Sequence, residues 1–172
     1  MQRSTIAAIA TPPGTGAVSL IRLSGPDATL IASLVFRGKP ASGWPPRTQL
    51  FGRIVGSDGV MIDEVLLTRF PGPHSFTGED VVEIACHGGV IVTRRVLDTL
   101  LAAGAESALP GEFSERAFLN GKMDLTQAEA IMDLISAQTD LAMKAAGEQL
   151  SGRLGKAIEA IRLDVVGLLA HV

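Results

Sequence analysis

From Leu125 to Leu168 the apolar residues recur with a period near 3.6 or 3.5, at Leu125, Ala128, Met132, Ile135, Ala142, Ala145, Leu150, Leu154, Ile158, Ile161, Val165 and Leu168. That spacing is a helical stripe. Before about residue 105 the texture differs. TIAAIAT, AVSLIRLSG, TQLFGRIVG, VMIDEVLLTRF and DVVEIACHG are short apolar runs set between Gly, Pro and polar residues, which is the pattern of strands and turns. The chain therefore carries two architectures in succession.

Two helical patterns interrupt the strands. One runs from Asp27 to Phe36 behind Pro26. The other runs from Val90 to Ala103, with apolar positions at Val92, Val96, Leu97, Leu100 and Leu101 and a stop at Gly104. Mixed in this order, strands and helices predict an α/β (α+β) domain on a mixed β-sheet. Past Pro110 a short helix is expected from Glu112 to Asn120, stopped by Gly121, and Asp124 with Gln127 three residues on forms a capping box that opens the next helix. We place the boundary at 1–119 and 120–172, the second part being the start of an all-α domain. At 1.5 Å per residue, a helix running from Asp124 to the end would span roughly 70 Å, so a break is expected near Gly147 to Gly155 and a helical hairpin satisfies the pattern. The closing VVGLLAHV has no stop signal, so the helix is expected to continue past Val172 and the chain to be the amino-terminal part of something longer.

Composition narrows the function classes. A hydrophobic content of 47% over 172 residues and a mean hydropathy of +0.32 supply enough apolar surface for a core. Fifteen Lys and Arg against 18 Asp and Glu give a net charge of -3, without the broad positive field that attracts a phosphate backbone; the chain alone is a poor nucleic-acid binder. The single cysteine, Cys86, permits neither a disulfide framework nor a cysteine zinc cluster, which suits a reducing cytoplasm. The opening MQRSTIAAIATPPGTG reads as a strand entering a turn rather than a secretory signal, and no apolar run approaches the ~20 residues of a membrane span.

Two charges stand where strands look buried. In VVEIACH, strand alternation puts Val82, Ile84 and Cys86 on one face and Glu83 and His87 on the other, with the last two about 13 Å apart at strand rise. A nucleophile pair between the neighbours Cys86 and His87 is excluded by the same rule. In AVSLIRLSG, Arg22 shares a face with Val18 and Leu20, a face that looks buried. Glu83 and Arg22 are either one structural ion pair or parts of a site. Lys122 lies in the elbow between two helices, where it either serves a ligand or complements a helix C-terminus. FPGPHSFTGED is a turn-rich connection, a lid or a plain surface loop. His74, His87 and His171 lack metal-ligand spacing, so no metal is proposed. GTG at Gly14 to Gly16 is followed by a strand rather than a helix, and no GxxxxGK[ST] occurs, so no P-loop hydrolysis of GTP or ATP is expected from this chain.

TPPGTGAVSLIRLSG, FPGPHSFTGEDVVEIACHGG and PGEFSERAFLNGKMDLTQAEA together resemble the amino-terminal region of the MnmE (TrmE) family of tRNA-modifying GTPases, in that family's order along the whole chain. The resemblance implies a domain similar to the folate-binding domains of aminomethyltransferases, which binds 5-formyltetrahydrofolate or another tetrahydrofolate and forms a homodimer. It implies Arg22, Glu83 and Lys122 as folate contacts, with no catalytic residue in this chain. Glu83 would accept the 2-amino group and ring N–H of a pterin side by side, while Arg22 and Lys122 would hold its carbonyl, formyl or glutamate portion. In the full-length family a GTPase domain using GTP, Mg and K is inserted in the helical domain. With the flavoprotein MnmG the family modifies the wobble uridine of tRNA, so tRNA is met through the complex. Two other readings stand beside it: a freestanding folate-dependent one-carbon transferase, and a structural helical scaffold.

Overall fold

The structure is a computed structural model of the chain and describes residues 4–169. The expected continuation of the last helix toward His171 and Val172 lies outside the described residues. The chain forms two compact units, Met1–Phe113 and Ser114–Val172.

The first unit holds β1 (Ile6–Ile9), β2 (Val18–Ser24), α1 (Ala28–Val35), β3 (Phe36–Arg37), β4 (Leu50–Val55), β5 (Met61–Phe70), β6 (Val81–His87), α2 (Val90–Ala102) and β7 (Glu106–Ser107). The strands make one seven-stranded sheet in the order β3-β4-β5-β6-β2-β1-β7. β7 runs parallel to β1, and the other neighbours are antiparallel. The sheet is thus mixed, as the order of elements predicted.

Alternation along the central strands builds the core. Ile21 and Leu23 of β2, Val65 and Leu67 of β5, and Val82, Ile84 and Cys86 of β6 join Ile31 and Val35 of α1 and Val96 and Leu100 of α2 in one buried cluster. Each fully buried aliphatic side chain contributes about 1.5–3 kcal/mol. Both helices feed the same cluster, so they cover the same face of the sheet. At its edge Trp44, 3% exposed, meets Phe36 edge-to-face at 5.5 Å between ring centres and donates its indole N–H to the Lys39 carbonyl at 2.6 Å.

The opposite face is less covered, which corrects the expectation of a buried face around Arg22. Val18 is exposed and Leu20 half-buried. A row of paired residues, Phe51, Leu66, Ala85 and Leu20, crosses four strands on this face, and Phe51 and Leu66 are exposed. Arg22 and Glu83 share it, so the two charges occupy a half-open surface rather than a core.

The second unit is helical. It begins within α3 (Glu112–Leu119). Gly121, at φ 67, lets its own N–H reach the Phe118 carbonyl at 2.9 Å while the Lys122 N–H reaches the Ala117 carbonyl at 2.8 Å; this is a Schellman end. α4 (Leu125–Ser136) opens on the expected capping box of Asp124 and Gln127. α5 (Asp140–Leu150) is capped by the Thr139 hydroxyl, and α6 is Arg153–Leu169. The interruption between α5 and α6 falls inside the expected interval. The one at 137–139 was not foreseen, since the apolar period runs through it. α4 and α5 form an antiparallel hairpin fastened at one end by Gln127 Nε2 donating to the Leu150 carbonyl and Gln149 Nε2 donating to the Thr126 carbonyl.

Candidate functional site

Strand register brings Arg22 and Glu83 together. They sit directly opposite each other on β2 and β6, flanked by Ala8 on β1 and Thr68 on β5. Arg22 donates from Nε to Glu83 Oε1 at 2.8 Å, and its Nη2 lies 2.7 Å from the same oxygen. The side chains are 23% and 22% exposed, so the pair is neither dry nor fully solvated. The central guanidinium carbon lies 5.1 Å from the Phe76 ring centre and 5.7 Å from that of Phe113. Such a half-open ion pair is worth about 0–1 kcal/mol and a cation against a ring about 0.5–1 kcal/mol at exposed sites. Next to the core these are small terms, so stability alone gives little reason for two charges in mid-strand.

Phe76 belongs to the connection between β5 and β6, which is fastened from below. The buried Ser24 hydroxyl bonds Thr77 Oγ1 at 2.7 Å and donates to Glu79 Oε2 at 2.7 Å. The Gly25 N–H donates to the Asp80 carbonyl, and the Gly72 N–H to Asp80 Oδ1. The connection is therefore an ordered arm that presents a ring to the guanidinium.

A second constellation lies at the end of β6. Asp63, on the core-side alternation of β5, accepts the His87 backbone N–H on Oδ2 at 2.8 Å and meets His87 Nδ1 through Oδ1 at 2.7 Å. The carboxylate is 10% exposed and the imidazole 72%. Alternation alone paired His87 with Glu83's face; at the rim the ring instead turns to Asp63. Next to it Gly88 packs against the GTG turn. A Cβ there would meet the Gly16 carbonyl oxygen at 2.5 Å, and Gly16 donates its N–H to the Gly88 carbonyl, so that turn is spent on closing the sheet end. Cys86 is buried, and desolvation pushes its thiol up from the ordinary value.

Lys122 lies in the second unit, in the elbow after α3, with its backbone N–H in the Schellman end. A concavity of about 900 Å³ opens elsewhere in the first unit, among residues including Leu34, Arg37, Asp58, Arg95 and Asp98. Neither Arg22 nor Glu83 lines it, and its charges balance, so size alone does not make it the site. Among the described residues no group of three or more His, Cys, Asp or Glu is placed to hold a metal ion, and no helix is long and apolar enough to cross a membrane. Sequence reasoning missed Phe76, Phe113 and Asp63. Phe76 was legible only as an aromatic in a turn-rich connection, and Phe113 only as a residue in the first turn of a short predicted helix.

The model of the GTP-binding protein TrmE N-terminus matches residues 5–122. The chain belongs to that family. The MnmE helical domain matches residues 125–172, which accounts for the change of architecture. Among curated relatives, the tRNA modification GTPase MnmE of Lacticaseibacillus paracasei is 52% identical over 169 residues, covering 98% of this chain and 37% of that protein. Those of Enterococcus faecalis and Chloroflexus aurantiacus are each 51% identical, covering 100% and 98% of this chain and 38% and 37% of theirs. The chain thus corresponds to the amino-terminal part of MnmE and spans little more than a third of these relatives.

Proposed function

We propose that the chain is the folate-binding and dimerisation module of a cytoplasmic tRNA-modifying GTPase, taking 5-formyltetrahydrofolate or another tetrahydrofolate through Arg22 and Glu83, with Lys122 as the third contact that the family resemblance implies. The observation that carries this is the half-open Arg22–Glu83 pair set against Phe76 and Phe113. A carboxylate supplies the acceptors, a guanidinium and an ammonium supply fixed donors, and rings supply a flat wall, which is the donor set a pterin with an anionic tail requires. The folate would bring the one-carbon unit. Glu83 would orient its ring, and Arg22 and Lys122 would hold its carbonyl, formyl or glutamate groups. GTP with Mg and K, the flavoprotein MnmG and the tRNA would be engaged by the longer protein, of which this chain is a homodimerising part.

Isothermal calorimetry with 5-formyltetrahydrofolate tests the reading. Glu83→Ala should weaken binding by about tenfold to a hundredfold, the range for losing charge-assisted hydrogen bonds, without lowering the melting temperature. Unchanged affinity rejects the assignment.

One observation favours a freestanding one-carbon transferase as a second reading: the imidazole of His87, held by Asp63, is built like an oriented base. That reading requires the 172-residue chain to turn over the one-carbon unit of a bound folate by itself. Binding without turnover leaves the module.

A further inference from the structure

We propose that the concavity of about 900 Å³ between α1, α2 and the β4–β5 hairpin is a second binding site, and that it takes a small organic acid, one carboxylate on an apolar body. The inference stands apart from the folate reading, because neither Arg22 nor Glu83 lines this cleft.

Three elements build the walls. The last turn of α1 supplies Leu34 and Val35, the two sides of the hairpin supply Val55 and Ile62, and the second half of α2 supplies Ala102. Val35 belongs to the core and Ile62 packs against it, so the apolar lining is fixed from behind. The hairpin wall is also held without a ligand. The Gly56 N–H donates to the Val60 carbonyl and the Gly59 N–H to the Gly56 carbonyl, each at 2.9 Å. Cavities of about 300–1,000 Å³ with an apolar lining and a few polar groups are the usual form of a small-molecule site.

The polar groups decide what kind of molecule fits. Arg37, Arg95, Asp58 and Asp98 line the cleft, and their formal charges cancel, but the two carboxylates are already engaged. Asp98 Oδ1 accepts from Arg94 Nε at 2.9 Å, and Asp58 Oδ1 accepts the Val60 backbone N–H at 3.0 Å. Neither guanidinium meets a carboxylate among the described residues. Arg37 donates through Nη1 to the Leu34 and Phe36 carbonyls at 2.9 and 3.2 Å; this anchors the group and leaves the donors on Nε and Nη2 for a ligand. Arg95 is exposed on α2. Guanidinium donors beside an apolar wall suit a planar carboxylate carried on an apolar body. The nearby aspartates keep the lining from becoming strongly positive, so a polyanion such as a nucleoside triphosphate gains nothing from its further charges.

The test is a ¹H–¹⁵N nuclear magnetic resonance titration of the 172-residue chain with 2-naphthoate at pH 7. It follows the backbone amides of Gly59, Thr99 and Ala102 in the cleft, and those of Ala8 and Thr68 beside the Arg22–Glu83 pair. The cleft amides should shift saturably while the other two stay in place. 2-Naphthamide, the same body without the charge, should bind at least about tenfold more weakly, and Arg95→Gln should weaken 2-naphthoate by a similar factor, the effect of a lost charge-assisted hydrogen bond. Ala102→Glu, at an exposed position of the α2 wall, should abolish binding at an unchanged melting temperature. Arg53→Gln, outside the lining, should leave the affinity as it was. Equal affinity for acid and amide overturns the selection of an anion, and undiminished binding by Arg95→Gln overturns the role of that guanidinium. Shifts at Ala8 and Thr68 in place of the cleft send the acid to the Arg22–Glu83 face and overturn the second site. So does the absence of any shift up to the solubility limit of 2-naphthoate.

Discussion

Cys86 illustrates how position decides chemistry. The residue is 3% exposed beneath α2, and burial pushes the thiol up from its ordinary 9.0, outweighing the lowering by the Thr93 hydroxyl, while the Asp63 charge adds to the rise. The nucleophilic thiolate is therefore scarce at neutral pH. An aromatic disulfide reagent should find no reactive thiol in the folded chain at pH 7 and one after denaturation; fast labelling of the native protein would contradict this placement. Because the folded value is raised, the stability gained by keeping the thiol neutral is present below the ordinary thiol range and is lost as pH rises through and above it. At this scale the sequence was partly legible. A charge inside an apolar run is visible from spelling alone, so Glu83 and Arg22 could be singled out. Their partners were harder: Asp63 looks like one more polar residue in an alternating strand, Phe76 sits in a connection where no period constrains it, and Phe113 lies on a helix too short for its face to be read from spacing.

The N-terminus of α4 shows the same logic for an element. Asp124 accepts from the Thr126 hydroxyl and the Gln127 N–H, and these bonds, the hydroxyl first, hold its carboxyl below the ordinary 3.8. Asp124→Ala should cost about 0.5–2 kcal/mol, as lost caps do. The sign of the pH effect follows from the lowered value. The cap's contribution is present above the ordinary aspartate range and disappears as pH falls through the folded value, so the melting temperatures of wild type and variant should converge in strong acid. A gap that persists at low pH would show that the substitution acts on something other than the carboxylate. This helix start was readable because Asp and Gln at that spacing have few other uses. The break at 137–139 was not, since Ala137, Gln138 and Thr139 contain neither Gly nor Pro and only Thr139 marks a cap. The two-residue strands β3 and β7 are too short to carry any alternation at all.

Over the whole molecule, the succession of an α/β part and a helical part could be read from periodicity. The strand order could not, because every pairing of β6 with β2, and of β7 with β1, joins residues far apart in the chain. The helical unit also carries much apolar surface: Ile135, Leu141, Ile161 and Leu168 are 73%, 79%, 64% and 72% exposed. Faces of that kind recruit other apolar surfaces. The folded chain should bind a hydrophobic dye, and Ile161→Glu with Leu168→Lys should reduce that signal while the melting temperature of the first unit stays unchanged; an equal signal from the variant would place the sticky surface elsewhere.

The chain has one tryptophan and no tyrosine, and Trp44 is packed beside Phe36 in the first unit. Its fluorophore is therefore a private reporter. Emission during denaturation follows the sheet unit alone, whereas far-ultraviolet dichroism is dominated by helices from both. Overlaying the two curves discloses, without any label, whether the halves of this polypeptide come apart in one step or two.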